Sequence, residues 1–246
     1  MKRLFENWRK FITKKELNEY VNAPISSVPI SAFGDSNAGG GMNIQPQGKK
    51  FADEREDIEE EPSSPQIYCD MDGVLVDLIS AVLQKANRDI NDENLRRGVE
   101  KIISIDWKWT EKNPKYQKSL DYINDMVSNN VEFWATLNPM PDYNRLWSYI
   151  SQYNPIVLSH PWDNASAEGK RIWVREILQP QPQDVILTGR KHVHATSEDG
   201  TPNILIDDFE KYTIPWEAAG GTAILHTSAD ETIAKLEEMA SDWFQK

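Results

Sequence analysis

The 246-residue chain has a single cysteine, Cys69. No intrachain disulfide can form, and a reducing, cytoplasmic setting is expected. Cys69 lies in a short apolar run, IYC, and reads as a small core residue. No run of about 18 apolar residues occurs, so no membrane-spanning helix is expected. The opening MKRLFENWRKFITKK lacks the continuous apolar stretch of a secretory signal, and Glu6, Glu16 and Glu19 set it apart from a transit peptide. Positive charge is in deficit, with 27 Lys and Arg against 39 Asp and Glu. The resulting net charge of −12 disfavours long nucleic acids and anionic membranes as partners. It leaves room for a small anion, because local lysines and a metal can reverse the field inside a cleft. No internal repeat is visible. What the chain does have is apolar and aromatic content, including nine tryptophans, sufficient for a packed core.

Three parts follow from the composition along the chain. Residues 1–64 read as an N-terminal extension and linker. Leu4, Trp8, Phe11 and Ile12 share one face of a possible short helix. A Gly-, Ser-, Asn- and Pro-bearing stretch comes next, then the acidic run DEREDIEEEPSSP. This extension reads as a solvated tail, as a docking peptide acting through Trp8 and Phe11, or as a segment that binds a membrane surface. Residues 65–246 read as the catalytic core. Short apolar runs at 66–70, 155–159, 184–188, 203–207 and 222–226 alternate with helical patterns, notably 142–152, 166–178 and 229–244. That alternation predicts an α/β fold around a parallel sheet whose strands are buried on both faces. Residues 79–135, rich in helix formers and carrying Trp107, Trp109, Phe133 and Trp134, read as an insertion after the first strand.

The chemistry concentrates in Asp70-Met71-Asp72-Gly73-Val74-Leu75-Val76-Asp77, directly after the first apolar run. In an open parallel sheet, ligands bind beyond the carboxyl ends of strands. Gly73 permits a tight turn there. Two carboxylates two residues apart can divide the labour, one attacking phosphorus and the other moving protons. Later runs also end in polar groups. PIVLS closes on Ser159, and NILID closes on the pair Asp207-Asp208. Adjacent aspartates repel and need a cation or strong donors nearby. Lys170 opens the helical stretch GKRIWVREIL, where the helix dipole favours an anion, and Lys191 follows the run DVILT. His192 and His194 alternate as on an extended segment, a spacing that could hold a transition metal.

DMDGVLVD resembles the first motif of the haloacid-dehalogenase (HAD) superfamily, DxDGxLxD. The resemblance implies a HAD-like, three-layer Rossmann-type parallel sheet with a small helical cap inserted after the first strand. It implies that Asp70 is the nucleophile of an aspartyl-phosphate mechanism and Asp72 the general acid/base. It also implies that Asp70, the Asp72 carbonyl, Asp207 and Asp208 hold Mg²⁺, with four acidic side chains converging on one ion. The order IVLSHPW, GKRIWVREIL, VILTGRKHV, NILIDD, WEAAGGTAILH is similar to that of the 5′(3′)-deoxyribonucleotidase family, over about residues 67–228. By that similarity Ser159 and His160 stand in the phosphate-binding segment, Lys170 is the catalytic motif-three lysine that screens the phosphate and nucleophile, and Lys191 is a second phosphate-site lysine. Phe133 and Trp134 become nucleobase-pocket residues, and a homodimer is implied. The family's TSP reads Ser159-His160-Pro161 here, its TRDK reads Thr188-Gly189-Arg190-Lys191, and Phe209 stands where it has Arg. The expected reaction is hydrolysis of a nucleoside monophosphate. Another small phosphate ester, a polynucleotide 3′-end, or a non-catalytic binding module remain alternatives.

Overall fold

The computed structural model describes residues 64–104 and 113–243. The N-terminal extension with Trp8 and Phe11, and Trp107 and Trp109 of the insertion, lie outside the described residues.

Five strands form one sheet: β1 (Ile67–Cys69), β2 (Ile156–Ser159), β3 (Asp184–Leu187), β4 (Ile204–Asp207) and β5 (Thr222–Leu225). All neighbours pair in parallel, in the order β3-β2-β1-β4-β5. Each strand lies within the apolar run that predicted it. The chain steps outward from β1 to β2 and β3, then returns to build β4 and β5 on the other side. The strand order therefore reverses between β1 and β4, where a crevice opens at the carboxyl ends of an α/β sheet. The expected burial on both faces holds for β1, β2 and β4. It fails for β3 and β5, which are only partly buried because each is an edge strand.

Eight helices are described: α1 (Leu78–Asp89), α2 (Glu93–Ser104), α3 (Gln117–Val127), α4 (Val131–Ala135), α5 (Tyr143–Ile150), α6 (Asn164–Ile177), α7 (Glu210–Ala218) and α8 (Ala229–Trp243). Alternate strand residues pack into two cores, giving three layers. Ile67, Cys69, Val157, Ile204 and Ile206 belong to the larger core, with the helices of the insertion, α5, α6 and α8. Tyr68, Ile156, Leu158 and Leu205 face a smaller one closed by Trp216 of α7 and Ala195.

The insertion leaves and rejoins the core at one place. Asp77 caps α1 by accepting from the Ser80 amide at 3.0 Å. Its own amide donates to the Asn138 carbonyl at 2.9 Å, the Met140 amide donates to the Leu75 carbonyl at 2.9 Å, and Val76 bridges Pro139. Helices α1 to α4 lie between these crossings.

Indole N–H groups lock the layers. Trp134, Trp147, Trp173 and Trp216 are fully buried, and each donates to a main-chain carbonyl: Val127, Pro180, Leu137 and Asn203 respectively. A buried indole needs such a partner. Asp163 and Ser166 form a capping box at the start of α6. Gly169 lets that helix approach α4: a Cβ there would lie 2.5 Å from the Trp134 Cβ and 2.6 Å from the Val131 carbonyl oxygen. This close seating delivers the next residue, Lys170, to the end of the sheet.

Candidate active site

Asp70 follows β1 directly, and its amide donates to the Ile206 carbonyl of β4 at 2.9 Å. The ladder thus sets the end of β1 beside the end of β4. Carboxylate oxygens of Asp70, Asp207 and Asp208 all lie within 4.8 Å of one another. Asp70 and Asp207 are buried and Asp208 is half-buried. The Phe209 amide donates to Asp207 Oδ1 at 3.0 Å, fixing that carboxylate at the strand end.

Gly73 makes this convergence possible. Its φ of +79° suits glycine, and a Cβ there would stand 2.2 Å from Asp208 Oδ2. The turn closes through Gly73 N–H to the Val76 carbonyl and Val76 N–H to the Met71 carbonyl, both at 2.9 Å.

The two candidate lysines divide between different aspartates. Lys191, from a 3₁₀ turn at Lys191–His194 after β3, sets its ammonium 2.8 Å from Asp70 Oδ1 and 2.7 Å from Asp207 Oδ2. It also lies 4.4 Å from the ring centroid of Tyr212 on α7. Lys170 donates to Asp72 Oδ2 at 2.6 Å, to Ser159 Oγ at 2.9 Å and to the His160 carbonyl at 3.0 Å. Its ammonium is 5.4 Å from the ring centroid of Trp134. Both lysines are almost wholly buried. The Asp72 carboxylate, held by Lys170, stands outside the three-carboxylate cluster, so three acidic side chains converge rather than four. Its other oxygen, Oδ1, is buried and accepts no hydrogen bond.

Among the described residues, Asp70, Asp72, Asp207 and Asp208 meet Lys170 and Lys191 in a largely buried site. Buried charge must be compensated. Three carboxylates clustered this closely are hard oxygen donors, suited to a divalent cation. The residues present fit such an ion.

Cys69, next to Asp70, is fully buried, and its thiol donates to the Asp70 carbonyl at 3.4 Å. Burial pushes the thiol well above its ordinary pKa, and the nearby Asp70 and Asp207 add to the rise.

Residues 64–245 match the family described as "5' nucleotidase, deoxy (Pyrimidine), cytosolic type C protein". The chain belongs to this 5′-nucleotidase family. Membership makes it a phosphoric monoester hydrolase of HAD-like fold, as its motifs imply. Similar solved structures include a hydrolase from Streptococcus pneumoniae TIGR4, at 12% identity over 70% of this chain and 97% of that one, with a TM-score of 0.39. L-2-haloacid dehalogenase from Xanthobacter autotrophicus is 13% identical over 64% of this chain and 75% of that one, with a TM-score of 0.41. No curated protein matches the chain.

Within this 5′-nucleotidase, other sequence expectations land differently. Trp134 is 1% exposed, with its indole N–H on the Val127 carbonyl, and Phe133 packs edge-on against it at 5.5 Å. Towards the site, the Trp134 ring faces Lys170. His192 and His194 sit in the 3₁₀ turn and not on an extended segment. His192 is exposed, while His194 lies 5.8 Å from the Tyr68 ring, with burial lowering its pKa. Neither belongs to a metal-ligating cluster among the described residues. Sequence reasoning missed Tyr212 altogether. Its hydroxyl is 2.7 Å from His160 Nδ1 and its ring lies beneath Lys191. Among the described residues no helix is long and apolar enough to cross a membrane.

Proposed function

We propose that the protein hydrolyses nucleoside 5′-monophosphates, deoxyribonucleotides in particular, through an aspartyl-phosphate on Asp70, with Mg²⁺ as cofactor. The observation that carries this reading is the convergence of Asp70, Asp207 and Asp208 beside the Asp72–Lys170 pair at the sheet's switch point. Asp70, Asp207 and Asp208 would hold the ion, together with the Asp72 main-chain carbonyl. When bound, Mg²⁺ supplies charge neutralisation at the transferring phosphoryl group.

The chain's own residues do the rest. An Asp70 carboxylate oxygen attacks phosphorus in line, and the bond to the nucleoside oxygen breaks. Asp72 Oδ1, buried and without a hydrogen-bond partner, is suited to hand a proton to that leaving oxygen. The same oxygen then takes a proton from water as the water attacks the phosphoaspartate, releasing phosphate and restoring Asp70. Lys170, donating to Ser159 and Asp72 at once, ties proton transfer to the hydroxyl that would bind a phosphoryl oxygen. Lys191 keeps Asp70 and Asp207 from repelling each other. Helices α1 to α4 serve as a cap that excludes water during the first step. A cytosolic location fits the family description and the single cysteine.

A second reading, hydrolysis of another small phosphate ester, is favoured by the substitutions at His160, Gly189 and Phe209, which alter the substrate side and leave the acids intact. One panel separates the two. Phosphate release is measured from deoxyribo- and ribonucleoside monophosphates, sugar phosphates and a 3′-phosphorylated oligonucleotide, with Mg²⁺ and with chelator. The proposal expects fastest release from deoxyribonucleoside monophosphates and none with chelator. Equal rates with chelator, or no release from any nucleotide, would sink it.

A further inference from the structure

Three residues from three separate elements fit one another beside Lys191. His160 follows β2, Gly189 follows β3, and Tyr212 lies in the first turns of α7. The His160 imidazole occupies the space that a side chain at 189 would need: a Cβ there would be 2.4 Å from Cε1 and 2.8 Å from Nδ1. Nδ1 lies 2.7 Å from the Tyr212 hydroxyl. The Tyr212 ring then faces the Lys191 ammonium at 4.4 Å from its centroid, and Lys191 contacts Asp70 and Asp207. Helix α7 cannot drift, because the Trp216 indole is pinned to the Asn203 carbonyl at 3.1 Å and crowds Gly221. Phe209 packs edge-on against Tyr212 at 5.9 Å, and Lys211 also approaches the ring, at 5.2 Å. The His160 main-chain carbonyl meanwhile holds Lys170. One residue thus touches the supports of both buried lysines.

We propose that His160 and Tyr212 are positioning residues that hold the Lys191 ammonium against Asp70 during phosphoryl transfer, and that Gly189 is the space this pair requires. The inference rests on the aspartyl-phosphate reading above. Lys191 is held partly by carboxylates, and Asp70 loses its negative charge as it bonds to phosphorus. The face of the Tyr212 ring keeps its attraction for a cation throughout. It therefore retains the ammonium where the transferring phosphoryl charge passes. The hydrogen bond to His160 fixes the plane of that ring. The His160 imidazole in this pose requires that residue 189 carry no side chain.

The test measures kcat and KM with the nucleoside monophosphate that the wild type cleaves fastest, at saturating Mg²⁺, with melting temperatures followed in parallel. Tyr212→Leu should lower kcat about 10- to 30-fold, with KM moving less than about threefold. Tyr212→Phe and Gly189→Ala should each lower kcat about 3- to 10-fold, since both keep the ring and break its tether. In a Lys191→Ala background all three should cost less than about twofold, because residues acting through one partner are not additive. Losses that multiply in that background, or an unchanged kcat in Tyr212→Leu, overturn the proposal. If Tyr212→Leu fails to fold, Tyr212→Phe and Gly189→Ala carry the test. If Lys191→Ala leaves no measurable turnover, the Tyr212→Phe/Gly189→Ala double variant decides. A loss no larger than that of the worse single variant supports the pair, and multiplied losses refute it. A wild type that releases no phosphate from any monophosphate overturns the parent reading too, whereas an active wild type with independent losses overturns only the pair.

Discussion

Replacing Gly73 by alanine should strike metal binding harder than folding, and the structure says why. The residue has φ of +79°, a conformation that costs an L-residue about 1–2 kcal/mol. For a domain of this size each kcal/mol lowers Tm by about 2–4 °C, so a fall of about 2–8 °C is expected. The added Cβ would also stand 2.2 Å from Asp208 Oδ2, where ordinary contact begins near 3.4 Å. The Asp208 carboxylate, the flexible partner, must retreat by roughly 1 Å, while metal–ligand distances tolerate about 0.2 Å. Affinity for Mg²⁺ should therefore fall at least about 10- to 100-fold, the range seen even for groups one step removed from a metal. Scanning calorimetry gives the first quantity, and Mg²⁺ titration of turnover with isothermal calorimetry gives the second. A variant with lowered Tm and unaltered Mg²⁺ affinity would show that Asp208 holds no metal. Unaltered values of both would mean that the turn around residue 73 is wrongly understood.

Asp70→Asn should abolish turnover and keep the fold, because the amide is nearly isosteric and Lys191 retains Asp207; substantial phosphate release by the purified variant would exclude the covalent route. Lys170→Met leaves the Asp72 carboxylate buried without its cation, which should cost about 3–5 kcal/mol in urea unfolding. Adding Asp72→Asn should restore most of that stability and none of the activity. Burial holds the Cys69 thiol protonated in the native protein, whereas the unfolded thiol ionises near its ordinary pKa of about 8.5. The unfolded chain then binds fewer protons, so stability should be intact below that pH and decline above it, by up to about 1.4 kcal/mol per pH unit. Cys69→Ala should flatten that alkaline decline, and an identical slope in the variant would refute the assignment.

The sheet was legible because each strand is a short apolar run closing on a polar residue, and those closing residues line the carboxyl edge. Asp70, Ser159 and Asp207 stand out in the sequence on that ground. Helix α7 was not, because its large apolar residues Tyr212, Ile214 and Trp216 fall two apart, a strand-like period, and Pro215 lies inside it. Tyr212 went unseen with it. The sequence shows two lysines after two strands, but which aspartate each meets depends on distances across the sheet. Lys191 meets Asp70 and Lys170 meets Asp72, although the order of motifs assigned the leading part to Lys170. An aromatic where the insertion meets the core looks the same in sequence whether it faces a ligand or closes a core, and the structure buries Trp134. Edge-strand exposure, too, follows from strand order, which composition does not reveal.

The two crossings at Asp77–Asn138 and Leu75–Met140 make the mouth of the helical insertion only one residue pair wide. A segment of almost any length can be spliced between such neighbouring ends without shifting the register of a strand or lifting an acid from its place. On the cap reading proposed above, the segment that selects the substrate is thereby free to vary while the acids stay in place.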